Sequence, residues 1–118
     1  MIYRDLIVWQ KSISLTKKTY EIVKLLPKEE LYALSDQMRR AAISVPSNIA
    51  EGHSRDTTKD FIRFLSISKG SLSELETQLF LCVEIGYLTN AQITEVLTMI
   101  GEIRKMIDSL IIKLRKKL

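Results

Sequence analysis

The chain has 118 residues, of which 46% are hydrophobic and 27% charged, and this composition is typical of a single globular domain over residues 1–118 rather than a disordered chain. Only four glycines and two prolines interrupt it, which favours long helices over a turn-rich sheet protein. The formal net charge of +4 permits a polyanionic partner without requiring one. No apolar run approaches the ~18 residues that a membrane helix needs.

The first helix is predicted from about Leu6 to Leu25, with Asp5 as its N-cap. Its apolar residues follow two stripes, which lie roughly 200° apart around the helix. One stripe can enter the bundle core, and the other needs a second partner, which we expect to be another copy of the chain. The first stripe consists of Leu6, Trp9, Ile13, Tyr20 and Val23, broken only at Thr16. The second stripe, which we predict to form a subunit interface, consists of Val8, Leu15 and Ile22.

The second helix is predicted to follow the break at Pro27, with two glutamates suited to its first turn. Its apolar pattern continues through Pro46, so we expect one helix kinked at this residue. Pro46 removes the hydrogen bond to the Ala42 carbonyl and crowds that carbonyl. Gly52 is predicted to end the helix as its C′ residue. The apolar positions are Leu31, Leu34, Met38, Ala42, Val45 and Ile49.

The third helix is predicted to begin near Thr57, which is spaced with Asp60 like a capping box, and to end at Gly86. Gly70 lies in its middle, where glycine costs about 1 kcal/mol relative to alanine. We therefore expect close contact with another helix at this position. The apolar stripe consists of Phe61, Leu65, Leu72, Leu75, Leu79 and Cys82, together with Ser68.

The last helix is predicted to start at a second capping box, formed by Thr89 and Gln92, and to end in the basic segment KLRKKL. The sequence thus contains four amphipathic helices joined by short links. This arrangement predicts an all-α fold, an antiparallel up-down-up-down four-helix bundle with its second helix kinked at Pro46.

The sequence offers little for metal binding or covalent catalysis. Di-iron bundles use two Glu-x-x-His pairs, whereas His53 is the only histidine here and Ala50 stands three residues before it. Cys82 lies on the apolar stripe of its helix, which favours core packing over a nucleophilic role. We therefore expect no metal, no cofactor, no catalytic residues and no enzymatic activity.

Polar residues form a stripe on the second helix, about 100° away from its apolar stripe. Two interpretations are open: a solvated flank, or a polar zipper buried between helices or subunits. The zipper interpretation places Gln37, Ser44, Asn48 and Glu51 in a subunit interface.

Basic residues gather on the second and third helices and at the C-terminus. Such clusters can neutralise phosphates without reading a base sequence. The alternative is that Asp56, Asp60 and the helix dipole balance them as ordinary surface charge. The candidate nucleic-acid contacts are Arg39, Arg40, Arg55, Lys59, Arg63, Lys113, Arg115, Lys116 and Lys117.

Three stretches resemble a known family: DLIVWQKS, IGYLT, and the long segment YALSDQMRRAAISVPSNIAEGHSRDTTKDFIRFLSISKGSLSELETQL. The family comprises bacterial four-helix-bundle proteins encoded in intervening sequences of 23S ribosomal RNA genes. The resemblance implies a barrel-like homopentamer. It also implies kinship with the accessory variability protein of diversity-generating retroelements, to which binding of nucleic acid and reverse transcriptase through a basic surface is attributed. The matching residues are Gln37, Arg39, Arg40, Ser44, Pro46, Asn48, Glu51, Gly52, Arg55, Gly70, Ser71 and Glu74.

Two hypotheses for function follow. The first is a non-enzymatic homo-oligomer that binds RNA or DNA through basic surface patches. The alternative is an adaptor or scaffold whose oligomer holds a protein partner without binding nucleic acid. A membrane is not expected as a partner. The single cysteine cannot form an internal disulfide, and the N-terminus lacks a signal-peptide layout, so we expect a cytoplasmic protein.

Overall fold

A computed structural model describes all 118 residues of the chain. It contains four helices: α1 (Ile7–Val23), α2 (Leu34–Ser54), α3 (Thr58–Ile85) and α4 (Asn90–Arg115). Each helix packs against its two neighbours in the cyclic order α1, α2, α3, α4, and the backbones of the diagonal pairs do not approach each other closely. The ion pairs Lys11–Glu102 and Lys18–Glu95 run in opposite directions along α1 and α4. The all-α antiparallel four-helix bundle is therefore confirmed.

A single hydrophobic core runs along the bundle axis and receives side chains from all four helices. Leu15, Met38, Leu72 and Ile100, one from each helix, are completely inaccessible to solvent. None of the four helices combines the length and the apolarity that crossing a membrane would require.

The two apolar stripes of α1 contribute to the core differently from the prediction. Val8, Leu15 and Ile22 lie in the chain's own core, so their assignment to a subunit interface is wrong. The stripe expected in the core instead leaves two of its side chains on the surface, with Ile13 43% and Tyr20 40% exposed.

Buried hydroxyl groups explain why the apolar pattern does not reveal the core face of α1. Ser12 and Thr19 are fully buried on that face, and their hydroxyls donate to the carbonyls of Trp9 and Leu15 at 2.7 and 2.9 Å. A serine or threonine that bonds to its own helix needs no other partner, so it can occupy a core position that reads as polar in the sequence.

The predicted helix boundaries are corrected at the N-termini of α1 and α2. Leu6, not Asp5, is the N-cap of α1, since the Asp5 carboxylate accepts from the Ile2 N–H at 3.2 Å inside a short 3₁₀ turn, Tyr3–Asp5. A second 3₁₀ turn, Lys28–Glu30, holds the two glutamates that were predicted to open α2.

Helix α2 continues through Pro46 as one helix, as predicted. The Ala42 carbonyl, which Pro46 deprives of its helical N–H donor, lies 3.1 Å from the Thr16 hydroxyl of α1. That single hydroxyl proton is shared between the Ala42 carbonyl and the Ser12 carbonyl of α1, which lies 2.9 Å away. The neighbouring Val45 carbonyl accepts from the Ser68 hydroxyl of α3 at 2.9 Å. Side chains of both adjacent helices therefore bind the α2 backbone around the proline. The bend at Pro46 itself stays a prediction.

Glycine roles differ from those predicted at two positions. Gly52 lies inside α2 rather than at its end, and a Cβ atom there would stand 2.7 Å from the Phe64 Cβ of α3. Gly70 is exposed, and a Cβ atom there would meet nothing within 4 Å, so the expected close helix contact within the chain is wrong. The close α2–α3 approach lies at Gly52.

The ends of α3 and the start of α4 agree with the sequence. The Thr57 hydroxyl accepts from the Asp60 N–H at 3.1 Å, and Gly86 ends α3 with a φ of 97°, in the left-handed region. Thr89 and Gln92 form both hydrogen bonds of a capping box, at 3.2 and 2.8 Å.

Substitution of Gly52 by alanine is expected to destabilise the fold by about 1–3 kcal/mol, because the added methyl group must displace Phe64 from its packed position. Gly101→Ala is the matched control. Gly101 is also a helical glycine, but its added Cβ atom would meet nothing within 4 Å, so this change is expected to stabilise the protein by about 0.5–1 kcal/mol. Urea unfolding of both variants measures the difference, and equal effects would contradict the close approach.

The hydrogen bond from Thr16 to Ala42 is expected to matter only while Pro46 is present. Thr16→Val leaves the Ala42 carbonyl without a donor and should destabilise the protein by about 1–2 kcal/mol. In a Pro46→Ala background the backbone N–H of residue 46 is restored, so Thr16→Val should have a much smaller effect. A double-mutant cycle followed by urea unfolding tests this coupling, and strict additivity would disprove it.

Candidate nucleic-acid interface at one end of the bundle

The antiparallel topology brings the start of α1, the end of α2, the start of α3 and the end of α4 to the same end of the bundle. Eight basic side chains lie there, and we call this region the basic end. It includes seven of the nine predicted nucleic-acid contacts. Its members are Arg4, Arg55, Lys59, Arg63, Lys113, Arg115, Lys116 and Lys117.

An aromatic ring organises the basic end where α2 meets α3. The guanidinium groups of Arg55 and Arg63 lie over the ring of Phe64, at 4.9 and 4.6 Å from its centroid. Gly52 permits this arrangement, because Phe64 packs directly against it. Cation–π contacts of this kind are worth about 0.5–1 kcal/mol each at exposed sites. They hold two flexible side chains at one place without using up all of their N–H donors.

Carboxylates further orient these two arginines without burying them. Arg55 bonds to Glu51 at 2.7 Å, and Arg63 lies 3.8 Å from Asp60. The arginine side chains remain 45% and 59% exposed. Both groups can therefore reach an external anion, although the acidic neighbours reduce the local positive field.

The cations at the end of α4 have no acidic partner within the chain. Lys113, Arg115, Lys116 and Lys117 are exposed and form no ion pair, and Lys59 of α3 is also unpaired. The last carbonyls of α4 complement the charge of its terminal cations through the helix dipole. These side chains are free to bind an anion.

Arg39 and Arg40 do not join the basic end. They lie sixteen and fifteen residues before Arg55, the C-cap of the same helix, a separation of about 22–24 Å at 1.5 Å per residue. Arg40 Nε donates to Asp36 at 2.9 Å, and Arg39 donates to the Leu31 carbonyl at 3.0 Å. The structure thus separates these two predicted contacts from the other seven.

The residues of the α2 polar stripe lie in two different settings within the chain. The Asn48 amide donates to the Ser44 carbonyl and hydroxyl at 2.8 and 2.9 Å, and the Ser71 hydroxyl of α3 lies 2.8 Å from that of Ser44. This half-buried network joins two helices of one chain, so it needs no second subunit. Gln37 and Glu51, by contrast, are exposed on the surface.

Nucleophilic and metal-ligating groups are dispersed. Cys82 is buried against the Met38 sulfur at 3.7 Å, and burial, with a smaller contribution from Glu30, raises the pKa of its thiol. The His53 ring packs edge-on against Phe61, with centroids 5.6 Å apart. No three histidine, cysteine or acidic side chains come together as a metal site would require.

Comparison with known proteins identifies the family. The family model described as 23S rRNA-intervening sequence protein matches residues 4–109. The chain belongs to this family. A crystal structure of a protein of unknown function from the S23 ribosomal protein family of Bacteroides thetaiotaomicron VPI-5482 shares 27% sequence identity with this 23S rRNA-intervening sequence protein. The match has a TM-score of 0.82 and covers 89% of this chain and 98% of that one. No curated protein matches the chain significantly.

The sequence indicates most cations of the basic end but not the place of Phe64 among them. The ring is recognisable only once Gly52 is seen to admit it between the helices, because Phe64 stands nine residues from Arg55 in the sequence. An aromatic residue next to a basic one is too common a pattern to indicate such an arrangement.

The Cys82 thiol is expected to resist modification by thiol reagents at pH 8 in the native protein, because burial both blocks access and raises its pKa. The thiol should react fully once urea unfolds the chain. The reaction is measured with a thiol reagent that releases a chromophore, by the absorbance of that chromophore. Rapid native labelling, at the rate of a free cysteine, would contradict the core assignment.

Proposed function

We propose that this 23S rRNA-intervening sequence protein is a cytoplasmic, non-enzymatic homo-oligomer, a pentamer by family resemblance, that binds the phosphate backbone of RNA or DNA through its basic end. The observation that carries the proposal is the gathering of seven predicted contacts at one end of the bundle, from the C-terminal end of α2, the start of α3 and the C-terminal end of α4. Their residue types and exposure suit binding to phosphates, which carry no sequence information.

Charge balance supports this location. The basic end holds eight basic residues against four acidic ones, Asp5, Glu51, Asp56 and Asp60, an excess equal to the net charge of the whole chain, +4. The rest of the bundle is therefore neutral on balance. An elongated molecule of 46 × 23 × 20 Å with its net charge at one end would orient that end toward a polyanion during approach.

Oligomerisation increases the affinity for nucleic acid that a binding surface of this size can provide. One basic end offers few phosphate contacts, and several copies in one assembly multiply them on a single nucleic acid. Exposed isoleucine, leucine and tyrosine side chains on α1, α2 and α3 give the chain surfaces for self-association.

A protein-binding role is the second candidate, favoured by an apolar groove of about 470 Å³ between the start of α1 and the end of α4. Leu6, Ile7, Met106 and Leu110 line it. A groove of this kind suits apolar side chains of a polypeptide. A protein complex that survives nuclease treatment and is lost on Leu110→Asp would favour this role.

Nucleic-acid binding should depend on the two arginines over Phe64. We expect Arg55→Gln/Arg63→Gln to weaken binding of a fluorescent 30-nucleotide RNA at least tenfold at 50 mM salt. Each lost contact should also reduce the slope of log affinity against log salt by about 0.7. Fluorescence anisotropy across a salt series measures both quantities.

The control for this experiment is Lys24→Gln/Lys28→Gln, which removes the same charge from exposed, unpaired cations at the opposite end of the bundle. Its affinity should stay close to that of the native protein. Absence of binding at 50 mM salt, or an equal loss in both variants, would contradict the proposed interface.

A further inference from the structure

A cleft of about 200 Å³ opens where the C-terminal end of α1 meets the start of α2, at the end of the bundle opposite the basic end. Four apolar residues form part of its wall. Its polar lining consists of Lys24, Lys28, Ser35 and Arg39. We propose that this cleft is a second anion site, separate from the basic end, which binds the phosphate group of a small molecule.

The first turn of α2 presents backbone donors that the chain does not use. The N-cap residue, Ala33, has no side chain that could accept a hydrogen bond, and the Gln37 N–H is the first to find a carbonyl, that of Ala33 at 3.0 Å. The N–H groups of Leu34, Ser35 and Asp36 therefore have no acceptor within the chain. Free N–H groups and the helix dipole together favour an anion at this position.

Ser35 supplies an independent indication of a ligand. The residue is only 3% exposed, yet its hydroxyl forms no hydrogen bond within the chain. The buried hydroxyls of Ser12, Thr19 and Ser68 all donate to carbonyls. A buried polar group normally has a partner, because losing its bonds to water is costly. Since Ser35 lines the cleft, its hydroxyl is open to a molecule that occupies the cleft.

Arg39 reaches back along α2 toward the same place. Its side chain is 21% exposed, and one guanidinium N–H donates to the Leu31 carbonyl, eight residues earlier, at 3.0 Å. The Asp36 carboxylate, at 3.8 Å, is beyond hydrogen-bond distance. Leu31, Ser35 and Arg39 all line the cleft, so the anchored side chain runs beside Ser35. A guanidinium has five N–H donors, and most of these remain for another acceptor.

Two lysines line the cleft from outside α2. Lys24 is the C-cap of α1, and Lys28 is the first residue of the 3₁₀ turn that follows. Both side chains are exposed, and neither forms an ion pair. Each ammonium group has three donors on a flexible stem. Cations from α1, from the link and from α2 thus converge on one cleft.

No carboxylate lines the cleft. Asp36, the acidic residue in the first turn of α2, accepts from Arg40 Nε at 2.9 Å, and Glu30 accepts from the Tyr87 hydroxyl at 3.2 Å. Glu29 is exposed to solvent. These carboxylates lower the positive potential around the cleft without occupying it. The lining is therefore cationic, although the bundle outside the basic end is neutral on balance.

Charge and size together select the ligand. Three cations, a hydroxyl and the open end of a helix match a phosphate dianion, whose oxygens can accept from several of these donors at once. Clefts for drug-sized molecules begin at roughly 300 Å³, so a cleft of about 200 Å³ suits inorganic phosphate or the phosphate monoester of a small metabolite. A nucleic-acid strand is larger, so this site is independent of the backbone binding proposed for the basic end.

Amide chemical shifts of the whole chain, followed by NMR during a titration at constant pH, test the site directly. The probe is inorganic phosphate, in sodium chloride at about 0.15 M to screen exposed charges. We expect saturable shifts of the amides of Leu34, Ser35 and Asp36. A second titration with glycerol 3-phosphate distinguishes the two sources of the phosphate group. Tighter binding of the ester indicates a metabolite, and tighter or equal binding of inorganic phosphate indicates the free anion.

Ser35→Ala separates binding from folding. It should weaken phosphate binding roughly tenfold, the effect of losing one hydrogen bond to a charged group. It should not lower the midpoint of urea unfolding, because the hydroxyl has no partner within the chain and alanine is the better helix former.

Lys24→Gln/Lys28→Gln should also weaken phosphate binding, while its affinity for RNA stays close to native. The matched control is Lys17→Gln/Lys105→Gln, which removes the same charge from exposed, unpaired cations outside the cleft. Phosphate affinity of this control should equal that of the native protein.

Four results would overturn the inference. One is the absence of saturable shifts at residues 34–36, and another is saturation at the basic end alone. Equal losses of phosphate affinity in the two double variants would show that general charge, not the cleft, attracts the anion. Native phosphate affinity or a lowered unfolding midpoint in Ser35→Ala would show that the hydroxyl does not serve the ligand.

Discussion

The close approach of α2 and α3 at Gly52 is the constraint on which the rest of the structure depends. Because the glycine has no side chain, Phe64 packs directly on the α2 backbone. The hydrogen bonds of Ser68 with Val45 and of Ser71 with Ser44 continue the same seam along the helices. Phe64 in turn carries Arg55 and Arg63 at the bundle end. The packing of Phe64 on Gly52 therefore also positions two arginine side chains on the surface.

The sequence predicted the four helices, their antiparallel order and most of their ends, because apolar periodicity and capping residues are local signals. The sequence did not predict correctly which apolar stripe of α1 enters the core. Periodicity gave two apolar faces, and the deciding residues, Ser12 and Thr19, are buried hydroxyls that satisfy themselves on their own helix. Thr16 is ambiguous in the same way. It interrupts an apolar stripe in the sequence, yet its hydroxyl bonds to the Ala42 carbonyl, which has no helical N–H donor because of Pro46.

The basic end could be predicted in its composition but not in its arrangement. Seven of the nine candidate cations meet there, since the alternation of helix directions follows from short links. The separation of Arg39 and Arg40 and the participation of Phe64 depend on three-dimensional contacts. Gly70 illustrates the same limit: the sequence indicated that a mid-helix glycine needs a reason, but the single chain provides none.

Native-state hydrogen exchange tests the central role of the α2–α3 seam most directly. If the contact at Gly52 organises the bundle, the slowest-exchanging amides should lie on α2 and α3, in the segments 45–52 and 61–72, and should exchange only through global unfolding. Amides of α1 and of the last turns of α4 should exchange through smaller openings. Slowest exchange confined to α1 and α4, with early opening of the α2 segment, would contradict the account.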